Sequence, residues 1–89
     1  ERDLALVVPQ KVAVRDVLRV IKKTGGELLK DVELFDVYQG KQVQEGSKSL
    51  AFSLQFQAED RTLTDKEIAA CVGTITYRLA EDVKAELRS

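Results

Sequence analysis

The segment Ser49–Ala58 alternates apolar and polar side chains more regularly than any other part of the chain. Such period-two alternation predicts a β-strand that is buried on one face and open on the other. The segment therefore limits the fold to a sheet that is covered on one side only. The covered side is predicted to hold Leu50, Phe52, Leu54 and Phe56, and the open side Ser49, Ala51, Ser53, Gln55 and Gln57.

Two other segments have the periodicity of amphipathic helices. From Val14 onward, apolar residues recur at i, i+3, i+4 and i+7, and the glycine pair at 25–26 supplies a stop. The basic side chains of this segment predict a solvated helix face. Thr64 followed by Glu67 is the pattern of a capping box, which predicts a second helix beginning at Asp65. The buried stripe of that helix is predicted to comprise Ile68, Val72, Ile75 and Leu79, widened by Ala69 and Cys71.

Further strands are predicted at Asp3–Val8, which Pro9 ends, and at Leu28–Tyr38. The segment Lys84–Arg88 either continues the second helix or returns as a short edge strand. The order is therefore strand, helix, strand, strand, helix and an optional strand. This is the split βαβ pattern of an α+β fold, with a four-stranded antiparallel sheet and both helices on one face.

The predicted strand Leu28–Tyr38 breaks strict alternation. Phe35 and Val37 are predicted on the covered face and Asp36 and Tyr38 on the open one, but counting back by twos places Val32 and Leu34 on the open face as well. Either a β-bulge between the two pairs or a partner that covers the apolar end would explain this pattern. The loop Gln39–Lys48 is polar and is predicted to be exposed.

Composition excludes several classes of function. The 89 residues form one domain, and their net charge of −1 is not the basic footprint of a protein that binds nucleic acid by charge alone. The absence of histidine and the single cysteine exclude the common zinc sites and the Ser–His or Cys–His catalytic pairs. Cys71 is predicted to be a structural thiol. No apolar run is long enough to cross a membrane, and the cysteine usage fits a cytoplasmic protein.

The open sheet face holds the best candidates for a binding site. Single-stranded RNA is often bound on a four-stranded sheet, where bases stack on aromatic rings and hydrogen-bond to short polar groups. Tyr38 offers a ring, Asp36 an acceptor, and Ser49 a donor or acceptor, while the small Ala51 permits close approach. The plainer interpretation is that Tyr38 is an edge aromatic and Asp36 a solubilising charge.

Three stretches resemble one known family. LFDVYQG at Leu34–Gly40, EGSKSLAF at Glu45–Phe52 and RTLTDKE at Arg61–Glu67 are similar to the C-terminal anticodon-binding domain of the bacterial phenylalanine–tRNA ligase beta subunit. GGELL at Gly25–Leu29 and ELR at Glu86–Arg88 also resemble it. One departure is Gln44, where family members often have proline before EG.

The resemblance implies a ferredoxin-like fold whose last residues form the fourth strand. It also implies that Asp36, Tyr38 and Ser49 contact the anticodon stem-loop of phenylalanine tRNA. Residues 1–89 would be one piece of a longer beta chain, which works with an alpha subunit in an α2β2 synthetase. ATP and magnesium would belong to other parts of that enzyme, so no cofactor and no catalytic residue is expected here.

Cations near the open face are further candidates. Lys48 is predicted to bind RNA together with Asp36, Tyr38, Ser49 and Ala51, and Lys41 and Arg61 are weaker candidates for phosphate contacts. For all three cations, ordinary surface charge is the alternative. Two rival functions remain open at this point, namely a protein-docking module that uses the Val32 and Leu34 patch and a small-molecule regulatory domain of the same fold.

Overall fold

A computed structural model describes residues 2–39 and 45–88. The elements follow one another as strand, helix, strand, strand, helix and a short final strand, which is the predicted order. Their bounds are β1 (Arg2–Pro9), α1 (Val14–Gly25), a 3₁₀ turn (Gly26–Leu28), β2 (Leu29–Tyr38), β3 (Ser47–Phe56), α2 (Asp65–Val83) and β4 (Glu86–Leu87). The strands form one antiparallel sheet in the order β2-β3-β1-β4, which confirms the ferredoxin-like α+β prediction.

The core lies between the sheet and the two helices. From β3 it takes Leu50, Phe52 and Leu54, all of which are fully buried, while Phe56 is half-buried at its edge. Period-two alternation thus predicted the covered face of β3 correctly. The other buried apolar side chains come from β1, β2, both helices and the residue before β4, and they are Leu4, Leu6, Val8, Val17, Ile21, Val32, Ile75, Leu79 and Ala85.

A β-bulge in β2 explains the broken alternation of that strand. Leu34 pairs with Phe52 and Asp36 pairs with Ala51, so that Phe35 is an extra residue with no partner of its own. An extra residue reverses the faces that follow it. Val32 therefore lies on the helix side, where it is buried, and Asp36 lies on the uncovered side. The bulge, and not a covering partner, is the correct explanation.

The bulge also removes the surface on which the protein-docking alternative depended. Val32 is part of the buried core, and Leu34 is half-buried and packs against it. Neither side chain therefore offers the apolar patch on the open face that this alternative required. The apolar patch that strict alternation predicted on the open face is therefore absent from the described part of β2.

The start of α2 and the end of α1 have local causes in the sequence. Thr64 accepts from the backbone N–H of Glu67 at 3.1 Å, and the Glu67 carboxylate accepts from the backbone N–H of Thr64 at 3.2 Å. This is the predicted capping box, and α2 begins at Asp65. Helix α1 ends where Gly26 adopts a φ of 59°, which is in the left-handed region that glycine occupies without a steric penalty.

Helix α2 does not extend into the last residues. Lys84 adopts a left-handed conformation with a φ of 60°, and β4 follows it along the outer edge of β1. The edge-strand alternative for the C-terminal segment is therefore correct. Leu87 pairs with the buried Leu6 and so lies on the helix side, but it is 58% exposed there. The predicted stripe of α2 needs one correction, because Ala69 is exposed. Within 2–39 and 45–88, no helix is long and apolar enough to cross a membrane.

Candidate nucleic-acid interface

Strand register places the side chains of the uncovered sheet face in four rows across the strands, of which the last, Asp31–Gln55, spans only β2 and β3. Directly paired residues of neighbouring strands lie on the same face, so the register identifies each row. The first row runs Tyr38–Ser49–Val7–Glu86, the second Asp36–Ala51–Ala5, and the third Glu33–Ser53–Asp3. The four predicted residues on this face thus lie as two directly opposed pairs at one end of β2 and β3.

Tyr38 and Asp36 are accessible on this face. The side chain of Tyr38 is 38% exposed, at the last position of β2. Asp36 is exposed, and no ion pair involving it is found among the described residues. The ring and the carboxylate lie two positions apart on the same face of β2, so they offer a stacking surface next to a hydrogen-bond acceptor. The bulge at Phe35 is the reason that both of them are on the uncovered side.

Ser49 requires a correction, because it is not free as predicted. It is on the uncovered side of β3 but is only 6% exposed. The guanidinium of Arg88 covers it and donates from Nη1 to Ser49 Oγ at 3.0 Å. Arg88 is positioned by its own backbone N–H, which donates to the carbonyl of Ala5 at 2.8 Å. The two-residue strand β4 therefore brings a cation from the end of the chain onto the middle of the face.

The two remaining residues of the predicted site lie on different sides of β3. Ala51 is half-buried on the uncovered face, and its small side chain leaves space above the strand. Lys48 pairs with Val8, whose side chain is fully buried on the helix side. Because it precedes Ser49 by one residue, Lys48 lies on the opposite face from the other four. The structure therefore does not bring Lys48 into the same cluster.

The two weaker candidate cations are not on this face either. Arg61 lies in the connection to α2 and forms an ion pair with Glu67, the acidic member of the capping box. This pair and the Thr64 backbone N–H lower the pKa of the Glu67 carboxyl below its usual value. Lys41 falls outside the described residues.

The cysteine and the acidic side chains form neither a reactive site nor a metal site among the described residues. Cys71 is half-buried on α2, and its thiol approaches the carbonyl oxygen of Gly25 at 3.9 Å. Burial raises the pKa of this thiol, which disfavours the reactive thiolate. Among residues 2–39 and 45–88, no cluster of three or more acidic, cysteine or histidine side chains could hold a metal ion.

Two residues of the face were missed by sequence reasoning. Arg88 is separated from Ser49 by 39 positions, and only the pairing of β4 with β1 brings them together. Phe35 was placed on the covered face by strict alternation, yet it is 57% exposed and borders a shallow concavity with Glu33, Ser53 and Asp3. The broken alternation of β2 was the one signal that could have located it.

A four-stranded sheet with helices on one side and an exposed aromatic ring among short polar groups on the other is typical of small RNA-binding domains. The family comparison agrees with this class. The chain belongs to the ferredoxin-fold anticodon-binding domain family, whose model matches residues 1–88.

Curated relatives have the same domain within longer chains. The chain is similar to phenylalanine–tRNA ligase beta subunits from Moorella thermoacetica (52% identity over 88 residues), Vibrio cholerae (48% over 87) and Clostridium tetani (44% over 88). These alignments cover 98–99% of this chain but only 11% of each relative. The chain thus spans about a tenth of the length of the relatives that it matches.

Proposed function

We propose that the uncovered sheet face binds the anticodon loop of phenylalanine tRNA, and that the chain serves as an accessory domain of a phenylalanine–tRNA ligase beta chain. The observation that supports this most strongly is the direct pairing of Tyr38 with Ser49, and of Asp36 with Ala51, on the one sheet face that no helix covers. The family match supports the anticodon as the target. The similarity to phenylalanine–tRNA ligase beta subunits supports the particular ligase.

Each side chain of the first two rows has a role that its chemistry permits. The Tyr38 ring stacks one base, and the Asp36 carboxylate accepts a hydrogen bond from an amino or imino group on a base edge. Ala51 allows that base to approach the strand closely. Arg88 uses one of its five N–H donors on Ser49, so the others remain to donate to a base or phosphate oxygen. Ser49 and Arg88 therefore act as one polar unit.

The charge of this face favours bases over phosphates. Asp36 is accompanied there by four further carboxylates, while Arg88 is the cation beside Ser49; the four are Asp3, Asp31, Glu33 and Glu86. For single strands, each neutralised phosphate contributes about −0.7 to the slope of log affinity against log salt concentration. We therefore expect a shallow slope of about −1, and Arg88→Gln is expected to bring it close to zero.

The wider setting follows from the same proposal. Residues 1–89 would be one domain of a longer beta chain that acts with an alpha subunit in an α2β2 enzyme of the cytoplasm. That enzyme would attach phenylalanine to its tRNA with ATP and magnesium bound in other domains. This domain would contribute affinity and orientation through the anticodon and would take no part in the chemical step.

A matched pair of tyrosine variants tests the proposal. Tyr38→Ala is expected to weaken binding of the phenylalanine anticodon stem-loop by about 1–3 kcal/mol, because one stacked base loses its ring. Tyr77 is the control, since it is 63% exposed but lies on α2, on the other side of the sheet. Tyr77→Ala is expected to leave the dissociation constant unchanged. Equal effects of the two variants, or no effect of Tyr38→Ala in a folded chain, would refute the proposed face.

A further inference from the structure

The bulge in β2 exposes a second aromatic ring on the uncovered face. In a bulge the two residues that oppose one partner project to roughly the same side, so Phe35 accompanies Asp36 on the side opposite the core. Its ring is 57% exposed, which is more than Tyr38 at 38%. The folded domain thus leaves a large apolar ring in water at the centre of a strand, where burial would have stabilised it.

The surroundings of Phe35 have a defined chemical character. With Glu33, Ser53 and Asp3 the ring borders a shallow concavity of about 330 Å³, and those three residues form the third row across β2, β3 and β1. Ionised carboxylates accept hydrogen bonds and cannot donate them. Among the residues that the structure describes, none that lines this concavity is basic. A phosphate is therefore disfavoured there, whereas a flat ring that presents an amino group matches both the aromatic surface and the acceptors.

Phe35 and Tyr38 are too far apart to stack on the same base. They are three positions apart along β2, which corresponds to about 10 Å at the rise of an extended strand, or somewhat less across the bulge. Both rings are on the same face, with Asp36 between them. A single strand that places one base on Tyr38 therefore passes over Phe35 with a different nucleotide.

The geometry points to a second base-binding position, in which Phe35 stacks a neighbouring base of the bound RNA loop and Glu33 and Asp3 accept from its exocyclic amino group. This inference rests on the proposed function, because it requires the loop to lie on the uncovered face. It adds a preference for adenine, cytosine or guanine over uracil, because those three bases have an exocyclic amino group. Uracil has a carbonyl oxygen where cytosine has its amino group, and this oxygen repels the carboxylates.

The test uses 2-aminopurine, a base whose fluorescence is quenched by stacking. Anticodon stem-loops with 2-aminopurine at one loop position at a time are titrated with the 89-residue chain and its variants. Phe35→Ala is expected to raise the bound-state emission at one position and to weaken binding about 5- to 150-fold. Tyr38→Ala is expected to raise the emission at a different position. Phe35→Leu keeps an apolar side chain at the bulge, and it is expected to have the same effect as Phe35→Ala.

Val37→Ala is the matched control, since Val37 is an exposed apolar residue of the same strand that pairs with the buried Leu50 on the other face. It is expected to change neither emission nor affinity. If Tyr38→Ala is effective and both Phe35 variants bind like the unmodified chain, the second position is refuted while the proposed function stands. If neither Tyr38→Ala nor the Phe35 variants have an effect, the proposed function fails as well.

The amino-group preference has a separate readout. At the loop position that responds to Phe35, adenine is replaced by purine, which lacks the amino group. The replacement is expected to weaken binding to the unmodified chain and to have little further effect on the double variant Glu33→Ala, Asp3→Ala, because the two carboxylates and the amino group are opposite ends of the same hydrogen bonds. Additive losses would contradict the role of these two carboxylates.

Discussion

Gly25 and Gly73 provide a matched pair of substitutions whose effects on stability are expected to have opposite signs. Both are helical glycines, in α1 and α2. A Cβ atom added at Gly25 would lie 2.6 Å from Cδ2 and 2.7 Å from Cβ of Leu29, whereas a Cβ atom at Gly73 would meet nothing within 4 Å. The glycine at position 25 therefore permits the close approach of α1 to the first residue of β2, the strand that holds Asp36 and Tyr38.

The magnitudes follow from two opposing terms. Replacing a glycine within a helix by alanine stabilises it by about 0.5–1 kcal/mol, and Gly73→Ala should show this gain because nothing obstructs it. Overpacking costs about 1–3 kcal/mol, which exceeds the helical gain at the end of α1. Gly25→Ala is therefore expected to lower the free energy of unfolding by about 1–2 kcal/mol. The clash with Leu29 Cβ cannot be relieved by a rotamer change, so the backbone has to move.

Urea unfolding followed by far-UV circular dichroism measures both effects. In a domain of this size, 1 kcal/mol corresponds to about 4–8 °C in Tm, so in thermal unfolding the two variants, which differ by about 1.5–3 kcal/mol, should be separated by about 6–24 °C. The urea dependence of the free energy should remain the same in both, since the surface exposed on unfolding hardly changes. If Gly25→Ala proved as stable as Gly73→Ala, the close packing of α1 against β2 would be refuted.

Two further predictions concern titratable groups. Hydrogen bonds from Arg61 and a backbone N–H lower the pKa of Glu67 below its usual 4.5. The ionised Glu67 therefore stabilises the folded chain fully above pH 4.5, and this stabilisation is lost as the pH falls through the lower pKa of the folded state. Glu67→Gln should therefore flatten the loss of stability below pH 4.5 in acid denaturation curves, and an unchanged acid limb would contradict the role of this pair. Burial raises the pKa of Cys71, so a thiol reagent at pH 8 should modify it more slowly in the folded chain than in urea, and equal rates would contradict its burial.

The predictable parts of the fold were those decided by local pattern. The alternation in Ser49–Ala58 identified the buried face of β3, and the capping box identified the first residue of α2. Both signals lie within a few neighbouring residues. The predicted loop Gln39–Lys48 extends two residues too far, because Ser47 and Lys48 already belong to β3 and pair with β1.

The parts of the site that could not be predicted depend on contacts between distant segments. Broken alternation in β2 fits either a bulge or a covering partner, and only the pairing with β3 decides between them. That decision moves Phe35 from the covered face to the open one. The burial of Ser49 depends on Arg88, which reaches it through a strand of two residues that periodicity cannot identify.

The central claim is that the uncovered sheet face recognises the anticodon through its bases. The most direct measurement is an amide NMR titration of the isotope-labelled chain with the phenylalanine anticodon stem-loop, alongside a stem-loop with a scrambled anticodon. Shifts are expected to concentrate on Phe35–Tyr38, Ser49–Ser53 and Arg88, and to be stronger for the true anticodon. Shifts confined to the basic face of α1, around Lys22 and Lys23, and equal for both stem-loops, would contradict the claim.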